Sequence, residues 1–181
     1  MGERWVAMLR AINVGTANRV TSARLTEIVA LSGARDISTH LQSGNLFFEA
    51  TGTRELVVAA LEEQLVAAGM KRADAMVRTA AELRALVDRH PFAGLDPEAH
   101  RCSVTFLRRP VDSMPLDRLT AAGLDVRFVD DLHVCVASSR DAVASAGTAG
   151  GLIEKAWKAS GTTRWWNVVE DITARAEVLE R

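Results

Sequence analysis

The chain has 181 residues, 48% of them apolar, and a formal net charge of -1. That length builds one good-sized domain or two small ones, and that apolar content excludes a disordered chain. The near-neutral balance excludes a global field that would hold nucleic acid or an acidic membrane, so any phosphate contact has to be local.

The first predicted element is a strand over residues 5–9, an apolar run. A helix follows from Ser22, whose hydroxyl is placed to cap it, with Leu25, Ile28, Val29 and Ser32 on one face and Gly33 at its end. A short strand over 36–41, a turn at Ser43-Gly44-Asn45 and a return strand over 46–49 read as a hairpin. A long helix over 54–68 stops at Gly69, and 75–78 reads as another strand. Residues 80–88 read as a linking helix, and His90-Pro91-Phe92 punctuates its end. Strand 103–107, helix 116–122, strand 126–129, a turn at Asp130-Asp131 and strand 133–137 then repeat the order. The Gly147-to-Gly151 stretch reads as a flexible connector opening a helix over 152–159. A last strand over 163–166 and a closing helix from about residue 170 complete the chain. The expected fold is therefore α+β, with two tandem ferredoxin-like (βαββαβ) halves. Residues 1–79 form the first half, 80–100 the linking helix and loop, and 101–181 the second half with its C-terminal helix.

Cys102 and Cys135 sit in or beside apolar runs, and no Cys-x-x-Cys occurs. Such thiols suit a reducing compartment, where cysteine acts as a small apolar residue. No basic segment followed by a long apolar stretch opens the chain, and no run of about 18 apolar residues occurs. The expectation is a soluble cytoplasmic protein without a membrane partner. Arginine far outnumbers lysine along the whole chain, which makes the ratio a weak guide to any one site.

Three polar stretches stand out against these elements. The first runs from Arg10 through Asn13, Gly15 and Asn18, directly after strand one. There Arg10 and Asn13, with backbone N–H groups near Gly15, would hold an anion; the competing reading has the asparagines satisfying loop backbone. The second is Gln42-Ser43-Gly44-Asn45, where a hairpin turn explains the last two residues better than the first two. In a ferredoxin-like sheet, the strand leading to Arg10 and the hairpin's return strand would lie side by side. The third is Thr163-Arg164-Trp165-Trp166-Asn167. Adjacent tryptophans in a strand point to opposite faces, so one would be core and the other at a surface or over a flat ligand. His100-Arg101-Cys102 would put two ligands on one strand face, which does not make a metal site, and His40 and His133 are isolated. No metal or cofactor is expected.

Read together, these stretches resemble a bacterial domain of unknown function, DUF1697. The matching positions include Leu9, Arg10, Ile12, Asn13, Val14, Gly15, Asn18 and Val20, then Thr39 and Leu41 through Asn45. Arg78-Thr79, Pro91-Phe92, Thr105 to Leu107, Thr163-Arg164, Trp166 and Asn167 also follow its pattern. Ala11, Thr16 and Ala17 stand where the family usually has Gly, Gly and often Lys. His40, Trp165 and Val168 likewise replace Tyr, Asn and Thr. The resemblance implies a soluble α+β fold of two similar halves and no established reaction, cofactor or partner.

The leading functional expectation is a binding protein for a small anionic or phosphate-bearing ligand. Arg10, Asn13, Gly15, Asn18, Gln42, Ser43, Gly44, Asn45, Arg164, Trp166 and Asn167 would form its site. The alternatives are an enzyme acting on a small molecule, with Ser43, Thr163 or His40 as base or nucleophile, and a nucleic-acid-binding or protein-interaction module. A nucleic-acid signal is weak, because Phe47-Phe48 lacks an RNP pattern. The sequence does not fix the oligomeric state.

Overall fold

The computed structural model describes residues 2–13, 18–42, 44–71, 74–111, 116–121, 123–140 and 146–179. The protein is mixed α+β, with two four-stranded antiparallel sheets and six helices among the described residues. It splits into two compact units, Met1–Arg84 with Ile172–Arg181, and Ala85–Asp171.

The first unit runs β1 (Glu3–Leu9), α1 (Ser22–Ala30), β2 (Arg35–His40), β3 (Asn45–Ala50), α2 (Arg54–Ala67) and β4 (Ala75–Thr79). Its sheet order is β2-β3-β1-β4. Alternation along the strands sends Trp5, Ala7 and Leu9, with Leu46, Phe48, Ala75 and Val77, to one face. They pack there against Leu25, Ile28 and Val29 of α1 and Val57, Leu61 and Leu65 of α2. The other face is closed too: Val6, Met8, Phe47, Met76 and Arg78 are fully buried. The cap of α1 is Thr21, not Ser22. Thr21 is extended (φ -75°, ψ 156°) and its hydroxyl accepts from the Arg24 N–H, while Ser22 is already helical. A cap must lie outside the helical backbone and three residues before the donor it reaches, and Thr21 meets both conditions.

Helix α3 (Ala80–Asp88) starts on a capping box. The Thr79 hydroxyl accepts from the Glu82 N–H at 3.1 Å, and the Thr79 N–H donates to the Glu82 carboxylate at 2.9 Å. Burial opposes the charge on Glu82, but the Thr79 N–H and the Arg54 guanidinium outweigh it and hold its carboxyl below the usual range.

The second unit repeats the order with β5 (His100–Leu107), α4 (Leu116–Ala121), β6 (Asp125–Val129), β7 (His133–Ser139), α5 (Ala146–Trp157) and β8 (Gly161–Trp165). Its sheet order is β6-β7-β5-β8. Leu107, Val134 and Val136 meet Leu119 of α4 and Ala149, Ile153 and Trp157 of α5. The stretch 147–151 is not a connector but part of α5. A Cβ on Gly150 would sit 2.3 Å from the Thr163 hydroxyl oxygen, so glycine serves here to let the helix lie against β8. Helix α6 (Trp166–Leu179) begins where β8 ends, four residues earlier than its sequence suggests.

The same hydrogen bonds recur in both units. The Leu9 N–H donates to the Gly44 carbonyl and the Leu107 N–H to the Leu132 carbonyl, both at 2.8 Å. The Arg10 N–H donates to the Asp74 carbonyl and the Arg108 N–H to the Ser160 carbonyl, both at 2.9 Å. A helix glutamate takes the N–H of the first residue of the fourth strand in each unit, Glu62 from Ala75 at 3.0 Å and Glu154 from Gly161 at 2.7 Å. A buried arginine sits on that strand in each case, Arg78 opposite Val6 and Arg164 opposite Val104.

Cys102 and Cys135 are free thiols. Burial pushes both upward, so each stays protonated and acts as a small apolar side chain. His133 is structural. Its Nδ1–H donates to Asp130 at 3.0 Å, and its ring meets Phe106 edge-on at 5.3 Å. Asp130 also accepts from the N–H groups of Leu132 and His133. Burial raises its carboxyl, but the His133 ring and these N–H groups win and hold it below the ordinary value. The folded form is thus stabilised wherever an unfolded Asp is ionised, and this gain is lost as pH falls through the lowered value. Asp130→Asn is expected to cost about 1 kcal/mol at neutral pH, a figure already reduced for solvent screening. The difference from wild type should shrink in chemical denaturation as pH falls through the lowered value.

Candidate functional site

The pairing of β1 with β3 brings the first two polar stretches together. Met8 lies opposite Asn45, and the Asn13 side-chain amide donates to the carbonyls of Gln42 at 2.8 Å and Val20 at 3.0 Å. The Asn13 amide oxygen accepts from the Val20 N–H. Asn18 does the same for another pair of segments, bonding the Ala11 carbonyl and both the carbonyl and N–H of Lys71. Asn45 is fully buried and donates to the His40 carbonyl at 3.0 Å. Arg10 pairs with Asp74 at 3.3 Å. Gly15 and Ser43 lie outside the described residues. Ala11, Asn13, Asn18 and Leu41 all hold φ between 49° and 59°, a region that L residues occupy at a cost. A cavity of about 380 Å³ lies beside Asn18, with Arg19, Arg24 and Gly69 in its wall.

The third stretch belongs to the second unit. Arg164 is buried and donates to the Thr162 hydroxyl at 2.8 Å and the Thr163 carbonyl at 3.0 Å. Burial pulls it down to about 10, so it is a cation at neutral pH. The Thr163 hydroxyl is hydrogen-bonded to that of Thr105 at 2.9 Å. The two tryptophans do not alternate across a sheet. Trp165 ends β8 and Trp166 opens α6, and the change of backbone turns both, half-buried, toward one cavity of about 770 Å³. Asn167 and Glu170 of α6 line it as well.

The rest of the wall is apolar or cationic. Phe92 meets Trp166 edge-on, with centroids 5.1 Å apart and planes at 72°. His90, His100, Arg101 and Arg140 supply nitrogen donors, and Cys102 lies among them. Arg140 is held at two points, its N–H on the Ala99 carbonyl at 2.9 Å and its Nε–H on the Pro97 carbonyl at 3.0 Å. The Nδ1 of His100 lies 3.1 Å from the Asp96 carbonyl, which fixes the proton there and leaves Nε2 as the other ring nitrogen. Two arginines and one carboxylate, Glu170, thus line the same cavity. Sequence reasoning named Trp166 and Asn167 but missed Phe92, Arg101 and Arg140 as lining residues. The His100-Arg101-Cys102 signal was visible, yet it points to a cationic wall. No group of three or more metal-ligating side chains occurs among the described residues, and no helix among them is long and apolar enough to cross a membrane.

No curated protein matches the sequence. Among solved structures, the chain is similar to the conserved bacterial protein SP0830 from Streptococcus pneumoniae. The TM-score is 0.69 at 18% identity, over 96% of this chain and 98% of that one. The two share a fold. The family model described as a protein of unknown function, DUF1697, matches residues 2–130, which take in the first two polar stretches and end before the third. With that match over most of its length, the chain belongs to the DUF1697 family.

Proposed function

We propose that the chain is two tandem ferredoxin-like units and that it binds a small anionic ligand in the cavity of the second. Support for the fold reading is the βαββαβ order and the fourth-first-third-second strand order within each unit, with matched hydrogen bonds at matched positions. The functional reading rests on one observation: a cavity of about 770 Å³ lined by two arginines and a single carboxylate. Its size falls in the usual range for small-molecule sites. Guanidiniums suit carboxylate and phosphate oxygens, and the tether on Arg140 lowers the ordering cost of binding. In this reading Trp166 and Asn167 contact the ligand, whereas Asn13, Asn18 and Asn45 frame the loops of the first unit.

Thermal unfolding with inorganic phosphate, sulfate and acetate tests this. An anion present at about 100 times its dissociation constant stabilises by about 2.7 kcal/mol, a shift of several degrees. Arg101→Ala and Arg140→Ala should each weaken binding about tenfold, the loss of one charge-assisted contact. A shift that survives both substitutions would move the site elsewhere.

A further inference from the structure

Resting on the anion-binding reading, we propose that the ligand is a small aromatic anion, a flat ring carrying a phosphate or carboxylate group. The ring lies against the indoles of Trp165 and Trp166, and the anionic group meets Arg101 and Arg140. Four features carry this. First, the cavity of about 770 Å³ is far larger than a bare oxyanion, so a phosphate or sulfate held by the arginines would leave most of it empty. Second, part of the remaining wall is aromatic. Trp165, Trp166 and Phe92 converge on it, and the edge contact of Phe92 fixes the plane of the Trp166 ring. A preset aromatic face binds another ring by stacking with little loss of side-chain freedom.

Third, the sign of the charge selects among ring-bearing ligands. An aromatic wall alone also suits an organic cation. Here the lining carries two arginines against one carboxylate, an excess of positive charge that repels such a cation and attracts an anion. Fourth, one of the arginine donors is in position before binding. Arg140 is tethered through its Nε–H and its backbone N–H, so its outer nitrogens are presented in a set direction. His100, oriented by the Asp96 carbonyl, adds a ring nitrogen to the same wall. An aromatic ring and an oxyanion joined in one molecule would use both halves of the cavity at once.

Two ligand families share this chemistry, mononucleotides and aromatic carboxylates. Calorimetric titration of the full chain with adenosine 5′-monophosphate and with 2-naphthoate represents them, and adenosine, inorganic phosphate and acetate serve as the separate parts. At least one of the two aromatic anions should bind about tenfold or more tightly than any part, as expected when a stacking contact is added to a charged one. Its binding should quench the fluorescence of Trp165 and Trp166. Trp166→Leu should weaken it about tenfold, whereas Trp166→Phe should retain most of the affinity. If Trp166→Leu does not fold, as judged by circular dichroism, Trp165→Leu carries the same expectation.

Phosphate binding as tightly as both aromatic anions, with no quenching, would overturn the aromatic assignment and leave the anion reading standing. No binding by any anion would remove both. A single-stranded oligonucleotide that binds while both small aromatic anions do not would overturn the small-molecule class in favour of nucleic acid.

Discussion

Gly44→Ala is expected to destabilise the protein by about 2–4 kcal/mol and to lower its melting temperature by on the order of 10 °C. Gly44 holds φ at +77°, and a Cβ there would lie 3.0 Å from Ile12 Cβ and 3.1 Å from Leu9 Cβ. Both neighbours are buried, and Leu9 also donates its N–H to the Gly44 carbonyl at 2.8 Å. Leu9 cannot retreat without pulling on the end of β1, and Ile12 is packed into the same core. The left-handed backbone costs an L residue about 1–2 kcal/mol, and overpacking costs about 1–3 more. Reduced freedom of the unfolded chain returns less than about 1 kcal/mol of this. Chemical denaturation measures the loss. The same variant should bind inorganic phosphate as wild type does, because Gly44 belongs to the frame of the first unit. A phosphate affinity lost in well-folded Gly44→Ala would return the second polar stretch to the site.

Gly150→Ala is expected to cost about 2 kcal/mol net, even though alanine favours a helix over glycine by about 1 kcal/mol. The new Cβ would meet the Thr163 hydroxyl oxygen at 2.3 Å and the Thr163 Cβ at 3.3 Å. Thr163 cannot simply rotate away, because its hydroxyl is paired with that of Thr105 at 2.9 Å. Rotation breaks that bond, and the alternative is to lift α5 from β8. Removing the hydroxyl should therefore rescue the substitution. Starting from Thr163→Ala, Gly150→Ala should cost less than about 1 kcal/mol, and the double-mutant cycle should show the difference as coupling between the two positions. An equal cost in both backgrounds would contradict the packing explanation for Gly150.

The glycines of α5 mark where sequence reading reached its limit. Gly147 to Gly151 looks like a connector because glycine usually signals chain freedom. At Gly150 it signals a close approach between helix and strand, which no local pattern reveals. The strands and the helices α1 and α2 were legible because their apolar spacing directly reports a buried face. The pairing of Trp165 with Trp166 was misread for a related reason. Two-residue alternation holds only while the strand continues, and α6 starts at Trp166. Within the candidate site, Trp166 and Asn167 were legible as a conspicuous polar-aromatic run. Arg101 and Arg140 were not, since each is one arginine among many and gains meaning only from the β5–β7 pairing that places Arg101 opposite Ser138, next to the turn at Arg140. The asparagines of the first two stretches were conspicuous too, and their side chains turn out to bond backbone groups of neighbouring loops. Unusual polarity in a loop signals a special backbone as readily as it signals a ligand.

The most direct test of the anion-binding cavity uses the four tryptophans, Trp5, Trp157, Trp165 and Trp166, as reporters. Their indole N–H resonances, assigned by substitution, would be followed by two-dimensional NMR as inorganic phosphate is added. Saturable shifts confined to Trp165 and Trp166, with Trp5 and Trp157 unmoved, are the predicted result. A saturable shift of Trp5 in the first unit, with Trp165 and Trp166 unmoved, would contradict it.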